Sequence, residues 1–107
     1  MEPKIAIVIL NWNGYKDTSE CIISLQKITY NNYQIVVVDN GSDVEDFNKL
    51  KNNFSNVKVL RSEVNLGFTG GNNLGIKYSL EEKADFVLLL NNDTIVEPDF
   101  IEYLLKV

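Results

Sequence analysis

Apolar residues along this chain follow two different rhythms. Ile5-Ala6-Ile7-Val8-Ile9-Leu10, Ile35-Val36-Val37-Val38 and Phe86-Val87-Leu88-Leu89-Leu90 are unbroken runs, the pattern of central parallel strands buried on both faces. Val57-Lys58-Val59-Leu60 alternates instead, which predicts a strand nearer a sheet edge. Between the runs the apolar spacing lengthens to that of helices. Cys21, Ile22, Leu25 and Ile28 share one face of a helix predicted from Tyr15 to Lys27. Ser42 followed by Glu45 has the form of a capping box, with Phe47, Leu50 and Phe54 as the stripe behind it. A third helix is predicted from Thr69 to Ser79, opened by a glycine-rich turn and carrying only Leu74 and Tyr78 as a weak stripe. Pro98 suits a first helical turn, and Phe100, Ile101, Leu104 and Leu105 begin a last amphipathic pattern.

Strand and helix thus alternate along the whole chain, which predicts one α/β domain: an open, mainly parallel sheet with helices on both faces and right-handed crossovers. No repeat, low-complexity tract or linker interrupts the 107 residues, a length suited to one domain with a core. The last helix has barely begun at Val107, so residues 1–107 read as the first part of something longer. Apolar surface around Phe100 to Leu105 would then invite a homodimer to cover it.

Composition removes several chemistries. The formal charge is -5 with no run of lysines and arginines, so neither a nucleic-acid backbone nor an anionic membrane surface is expected as the main partner. Histidine is absent and Cys21 is the sole cysteine, which excludes an internal disulfide, His/Cys zinc sites and a Ser-His-Asp relay. A metal would have to be held by oxygen, which favours Mg or Mn. Met1-Glu2-Pro3-Lys4 has no basic leader character and no apolar run approaches a membrane span, so a cytoplasmic location is expected, with action at the inner face of a membrane compatible with it.

In open α/β sheets ligands bind outside the carboxyl ends of the strands. Here those ends carry Asn11-Trp12-Asn13-Gly14, Asp39-Asn40-Gly41-Ser42 and Asn91-Asn92-Asp93. Asn40, Gly41 and Ser42 read first as a tight turn feeding the capping box, whereas Asp39 directly ends a buried strand and could accept hydrogen bonds from a base or ribose. The segment Asn65 to Gly75 has glycines at 67, 70, 71 and 75; its spacing is not that of a dinucleotide fingerprint. Any one such glycine suits either a turn needing positive φ or close backbone approach to a phosphate at a helix start; four of them with Asn65 and Asn73 within eleven residues favour the functional reading. Trp12 and Tyr15 suit stacking on a base or covering the sheet end. Cys21 reads as a structural thiol, Lys27, Lys49, Lys51 and Lys58 as solvated, and Arg61 as the cation placed to meet a phosphate.

Taken in order, Asn11-Trp12-Asn13-Gly14, Val37-Val38-Asp39-Asn40-Gly41-Ser42, Asn65-x-Gly67-Phe68-x-Gly70-Gly71-x-Asn73-x-Gly75 and Leu89-Leu90-Asn91-Asn92-Asp93-Thr94 resemble the family 2 glycosyltransferases of GT-A fold, with the rhamnosyltransferase-like branch nearest. The resemblance implies a Rossmann-like half binding a nucleotide-diphosphate sugar, and transfer of that sugar with inversion to a saccharide or lipid-linked acceptor. It implies nucleotide contacts from Asn11, Asn13, Asp39, Asn40, Arg61, Asn65, Gly67, Gly71, Asn73, Asn91 and Asn92. Asn91-Asn92-Asp93 stands where the family has D-x-D, so Asp93 is the expected ligand of a divalent cation bridging the phosphates. Asn91 replaces the motif's first carboxylate, which implies weak metal affinity without nucleotide. Glu97 and Asp99 read as helix-dipole residues, and the general base is expected beyond Val107. A non-enzymatic flavodoxin-like or response-regulator-like interaction module fits the topology in outline, although Asn11 to Gly14 offers amides where a phosphoacceptor domain needs acids. A nucleotidyltransferase would need a basic glycine-rich loop after the first strand, and none is there.

Overall fold

The computed structural model describes residues 2–106. In chain order these form β1 (Ile5–Asn11), α1 (Tyr15–Leu25), β2 (Tyr33–Asn40), α2 (Val44–Asn53), β3 (Lys58–Ser62), α3 (Gly67–Glu81), β4 (Phe86–Leu90) and α4 (Phe100–Leu105). The strands form one parallel sheet in the order β3-β2-β1-β4. The expected α/β class is therefore observed. The order runs outward one way from β1 to β3 and the other way to β4, which creates a topological switch point between β1 and β4. A flavodoxin-like sheet would instead seat its third strand beside β1.

The period of two along each strand sorts the core into two layers. Ile5, Ile7 and Ile9 of β1 with Ile35 and Val37 of β2 face Cys21, Ile22 and Leu25 of α1, Leu50 of α2 and Ile101 of α4. Val8, Val36 and Val38 point to the other side, against Tyr78 of α3. This two-sided burial is why β1 and β2 read as unbroken apolar runs.

Strand β4 departs from expectation. Its run predicts a strand buried on both faces, yet it is an edge of the sheet, with Phe86 56% and Leu89 44% exposed. Among the described residues only α3 packs on its second face, and the exposure of Leu89 shows that the apolar pattern there outruns the burial available. The alternating β3, by contrast, is at the edge as its pattern predicts.

Helix α3 corrects a second reading. Its sheet-facing positions are Gly71, Asn72, Gly75 and Ser79, while Leu74 is exposed. A Cβ on Gly75 would collide with Val8 Cγ1 and sit 3.0 Å from Val38 Cγ2; one on Gly71 would collide with Leu10 and lie 2.9 Å from Asn40 Nδ2. Small residues therefore let this helix settle onto the strands, and the stripe of large residues is not the buried one. The expected capping box also fails to form: α2 is preceded by Asp43 at its N-cap, and no side-chain cap bond is made. Ser42 is buried and used elsewhere. Pro98 lies outside α4, whose N-cap is Asp99. Tyr103, Leu104 and Leu105 leave apolar surface exposed on α4. No helix among the described residues is long and apolar enough to cross a membrane.

Candidate functional site

The register places Asn11 of β1 beside Asp39 of β2, and Asp39 beside Arg61 of β3. Asp39 and Asn40 belong to the strand rather than to the turn, which begins at Gly41 with φ +81°. A Cβ on Gly41 would stand 2.5 Å from the backbone nitrogen of Asn65, so both conformation and space demand glycine there.

Asp39 is wholly buried. A buried carboxylate requires donors and a counter-charge. Arg61 Nη1 donates to its Oδ2 at 2.5 Å, and Asn11 Nδ2 donates to its Oδ1 at 2.9 Å. Arg61 also donates through Nη2 to the Ser42 carbonyl at 3.0 Å, and its guanidinium lies 4.7 Å from the Phe47 ring centroid. Arg61 is thus spent on Asp39 rather than left free for a phosphate. Phe47, expected only as helix stripe, is the platform for that cation.

Asn11, also wholly buried, is the junction of the rim. Its amide nitrogen reaches Asp39 and, at 2.8 Å, Asp46 Oδ2, with Ser42 Oγ more distant at 3.3 Å. Its carbonyl accepts from Thr18 Oγ1 at 2.6 Å. Asp46 in turn accepts from the backbone N–H of Tyr15 at 3.1 Å; its carboxylate thereby caps α1 from the neighbouring helix. Ser42 Oγ accepts from Asn13 N at 2.8 Å, and Asn13 Oδ1 accepts from Asp43 N at 2.8 Å. These two bonds hold Asn13 at φ +48°, a conformation that asparagine tolerates better than most residues.

On the other side of β2, Asn40 fastens the glycine loop. It donates to Asn65 Oδ1 at 3.1 Å and to the Gly67 carbonyl at 3.0 Å, and accepts from Leu66 N at 2.9 Å. Asn65 Oδ1 also accepts from Gly67 N. Gly67 needs its φ of +77°, with open space where a Cβ would stand. Gly71 is a packing residue in the contact of α3 with the sheet, and Asn73 is exposed on the same helix.

The third motif follows β4. Asn91 and Asp93 are exposed, while Asn92 is half-buried and donates to Thr18 Oγ1 at 3.1 Å. The Asn91 carbonyl accepts from Thr94 N at 3.1 Å. Burial first, and the Asp93 charge second, push the Cys21 thiol beneath this turn up to about 11, so it is a protonated, inert packing group at neutral pH, as its position on the helix predicts. A cavity of about 120 Å³ opens at the switch point between β1 and β4, lined by Leu10, Leu90, Asn91, Asn92, Phe68 and Asn72 among others. Trp12 stands 57% exposed at the same end of the sheet.

Among the described residues, no three His, Cys, Asp or Glu side chains gather into a metal cage. Mg keeps several waters and commonly binds through one or two carboxylates plus phosphate oxygens. An exposed Asp93 beside two amides therefore fits a hard cation that arrives with a diphosphate, and does not fit a cation held by protein alone.

The strand-end motifs found from sequence do converge on one rim. Thr18 and Asp46, which tie that rim together, carry no signal beyond ordinary helix positions. Residues 6–107 match the family described as Glycosyl transferase family 2. The chain belongs to glycosyltransferase family 2. It is 30% identical over 109 residues to "Glycosyltransferase GlyG" of Streptococcus pneumoniae, covering 97% of this chain and 35% of that protein. It is 30% identical over 92 residues to the "UDP-Glc:alpha-D-GlcNAc-diphosphoundecaprenol beta-1,3-glucosyltransferase WfgD" of Escherichia coli, covering 85% of this chain and 35% of that one. The fold matches that of "Mannosyltransferase PcManGT from Pyrobaculum calidifontis in complex with GDP-Man and Mn2+", with TM-score 0.83 at 13% identity, covering 99% of this chain and 32% of that one. The chain thus spans about a third of the length of these relatives.

Proposed function

We propose that this family 2 chain is the donor-binding part of an inverting, metal-dependent glycosyltransferase that takes a UDP- or dTDP-sugar and passes the sugar to a hydroxyl of a saccharide or lipid-linked acceptor. The rhamnosyltransferase-like branch is the nearest one on the strength of its motifs. One observation carries the reading: the polar ends of β1, β2 and β4 meet beside a cavity at the topological switch point, where open α/β sheets bind nucleotides. WfgD, a relative named for a UDP-Glc donor and a diphosphoundecaprenol-linked sugar, supports the donor and acceptor classes.

On this reading, Trp12 and Asn13 border the nucleoside, and Asp39 either shapes the rim through Arg61 and Asn11 or receives a ribose or base hydrogen bond. Asn91 and Asn92 lie toward the diphosphate. Asp93 would hold Mg or Mn together with phosphate oxygens, and the cation supplies charge neutralisation to the diphosphate leaving group as the bond to the sugar breaks.

Thermal melts test the proposal. UDP or dTDP with Mn should raise the melting temperature, since ligand at a hundred times its Kd adds about 2.7 kcal/mol. Asp93→Ala, at an exposed position, should remove the Mn-dependent part of that shift, and Asp39→Ala the shift as a whole. No shift with UDP, dTDP or GDP, with or without Mn, refutes the proposed function. An interaction module of the flavodoxin-like kind would give that result, but family membership and the strand order both speak against it.

A further inference from the structure

Thr18 is a polar residue with no exposure at all, placed on the buried face of α1 between the two halves of the rim. Its hydroxyl has one proton, and that proton goes to Asn11 Oδ1 at 2.6 Å; its oxygen then accepts from Asn92 Nδ2 at 3.1 Å. Asn11, so oriented, presents its NH2 to Asp39 and Asp46. If the amide were turned over, its carbonyl oxygen would face two carboxylates, an arrangement with no proton to share. The result is a continuous hydrogen-bonded chain from Arg61 through Asp39, Asn11 and Thr18 to Asn92. It joins the end of β3 to the turn after β4 across the width of the sheet.

A second feature guards the same contact. An added Cβ on Gly14 would stand 2.7 Å from Asn92 Nδ2. Gly14 has φ -121°, so its conformation does not require glycine; the space for the Asn92 amide does. Helix α1 holds the rest of the segment after β4 as well, through Ser24 Oγ, which accepts from Val96 N at 3.3 Å. Thr18 is the contact nearest the rim.

We propose that Thr18 is a positioning residue for donor binding: through Asn92 it sets the diphosphate-side turn, Asn91 to Asp93, relative to the nucleoside side at Asp39. The inference rests on the proposed donor site. Without the Thr18 hydroxyl, Asn92 is released from α1 and the diphosphate side loses its preset geometry, while Asp39 keeps Arg61, and Asn11, though its Oδ1 loses a donor, is still held by Asp39 and Asp46 through Nδ2. The loss should therefore fall on the diphosphate and spare the nucleoside.

Calorimetric titration of UDP and of UMP, each with Mn, into the wild type and three variants tests this. Thr18→Val keeps the shape and removes the hydroxyl. Thr18→Ser keeps the hydroxyl. Gly14→Ala displaces the Asn92 amide while meeting Asn11 Oδ1 only at an ordinary contact of 3.5 Å, and so serves where Thr18→Val does not fold. Thr18→Val and Gly14→Ala should each weaken UDP about tenfold, the scale of one lost hydrogen bond in a preset site, and UMP by less than about twofold. Thr18→Ser should restore the UDP affinity to within about threefold of wild type. Equal weakening of UDP and UMP, or no weakening of either by Gly14→Ala, overturns the positioning role while leaving the donor site intact. A wild-type protein that binds neither UDP, dTDP nor GDP overturns the proposed function and this inference with it.

Discussion

Replacing Arg61 with methionine isolates the ion pair on which the rim is built. Asp39 has no exposure and Arg61 is 17% exposed along its side chain, with 2.5 Å between Nη1 and Oδ2. Methionine keeps an apolar stem against Phe47 and removes the charge. Removing one partner of a buried pair costs about 3–5 kcal/mol, because the other charge stays desolvated. Asn11 still donates to Asp39 Oδ1, and the guanidinium end is partly wetted, so the low end of that range, about 3 kcal/mol, applies here. Loss of the cation contact with Phe47 adds about 0.5–1 kcal/mol. Against a total stability of about 5–15 kcal/mol this is a large fraction. Urea unfolding followed by circular dichroism should show a midpoint lowered accordingly, with an unchanged slope if the denatured state is unaffected. The double variant Asp39→Asn, Arg61→Met should recover more than half of the loss, since a neutral amide needs no counter-charge. A loss below about 1 kcal/mol, the value of a solvent-exposed pair, would refute the burial of this pair.

Two further outcomes follow from packing and burial. Gly75→Ala gains about 1 kcal/mol of helix propensity but forces a methyl against Val8 and Val38 in β1 and β2; overpacking costs about 1–3 kcal/mol, so the melting temperature should fall, and a rise would show that α3 can lift off the sheet freely. Cys21 has a folded pKa of about 11 against an ordinary value of 9.0, raised by burial and then by Asp93. Between pH 9 and 11 the unfolded chain therefore loses this proton first and binds fewer protons than the folded one, so stability should decline as pH rises through that window. A Cys21→Ala variant should lack this component of the decline, and the native thiol should alkylate at pH 8 far more slowly than the unfolded one.

Sequence alone determined the elements and the end of the sheet that matters. Unbroken and alternating apolar runs encode two-sided and one-sided burial, and that information is local to each strand. The same locality placed Asn11, Asp39 and Asn91 to Asp93 at strand ends, and so on one rim of a parallel sheet. It also misled in places. The apolar run of β4 announces two-sided burial but cannot say which neighbours supply it, and Ser42 with Glu45 has the form of a cap whether or not the hydroxyl is taken elsewhere.

Tertiary structure decided how the rim works. Arg61 meets Asp39 because register sets β3 against β2, not because of any spacing between them. Thr18 reaches Asn92 across 74 positions, and Asp46 reaches Asn11 across 35. The glycines of α3 divide between two tasks, a turn at Gly67 and close helix-to-sheet packing at Gly71 and Gly75. A hydrogen bond between distant residues depends on register, helix rotation and the volume left by neighbours. Those are properties of the assembled sheet and helices, whereas strand and helix periodicity is already present in the unfolded chain.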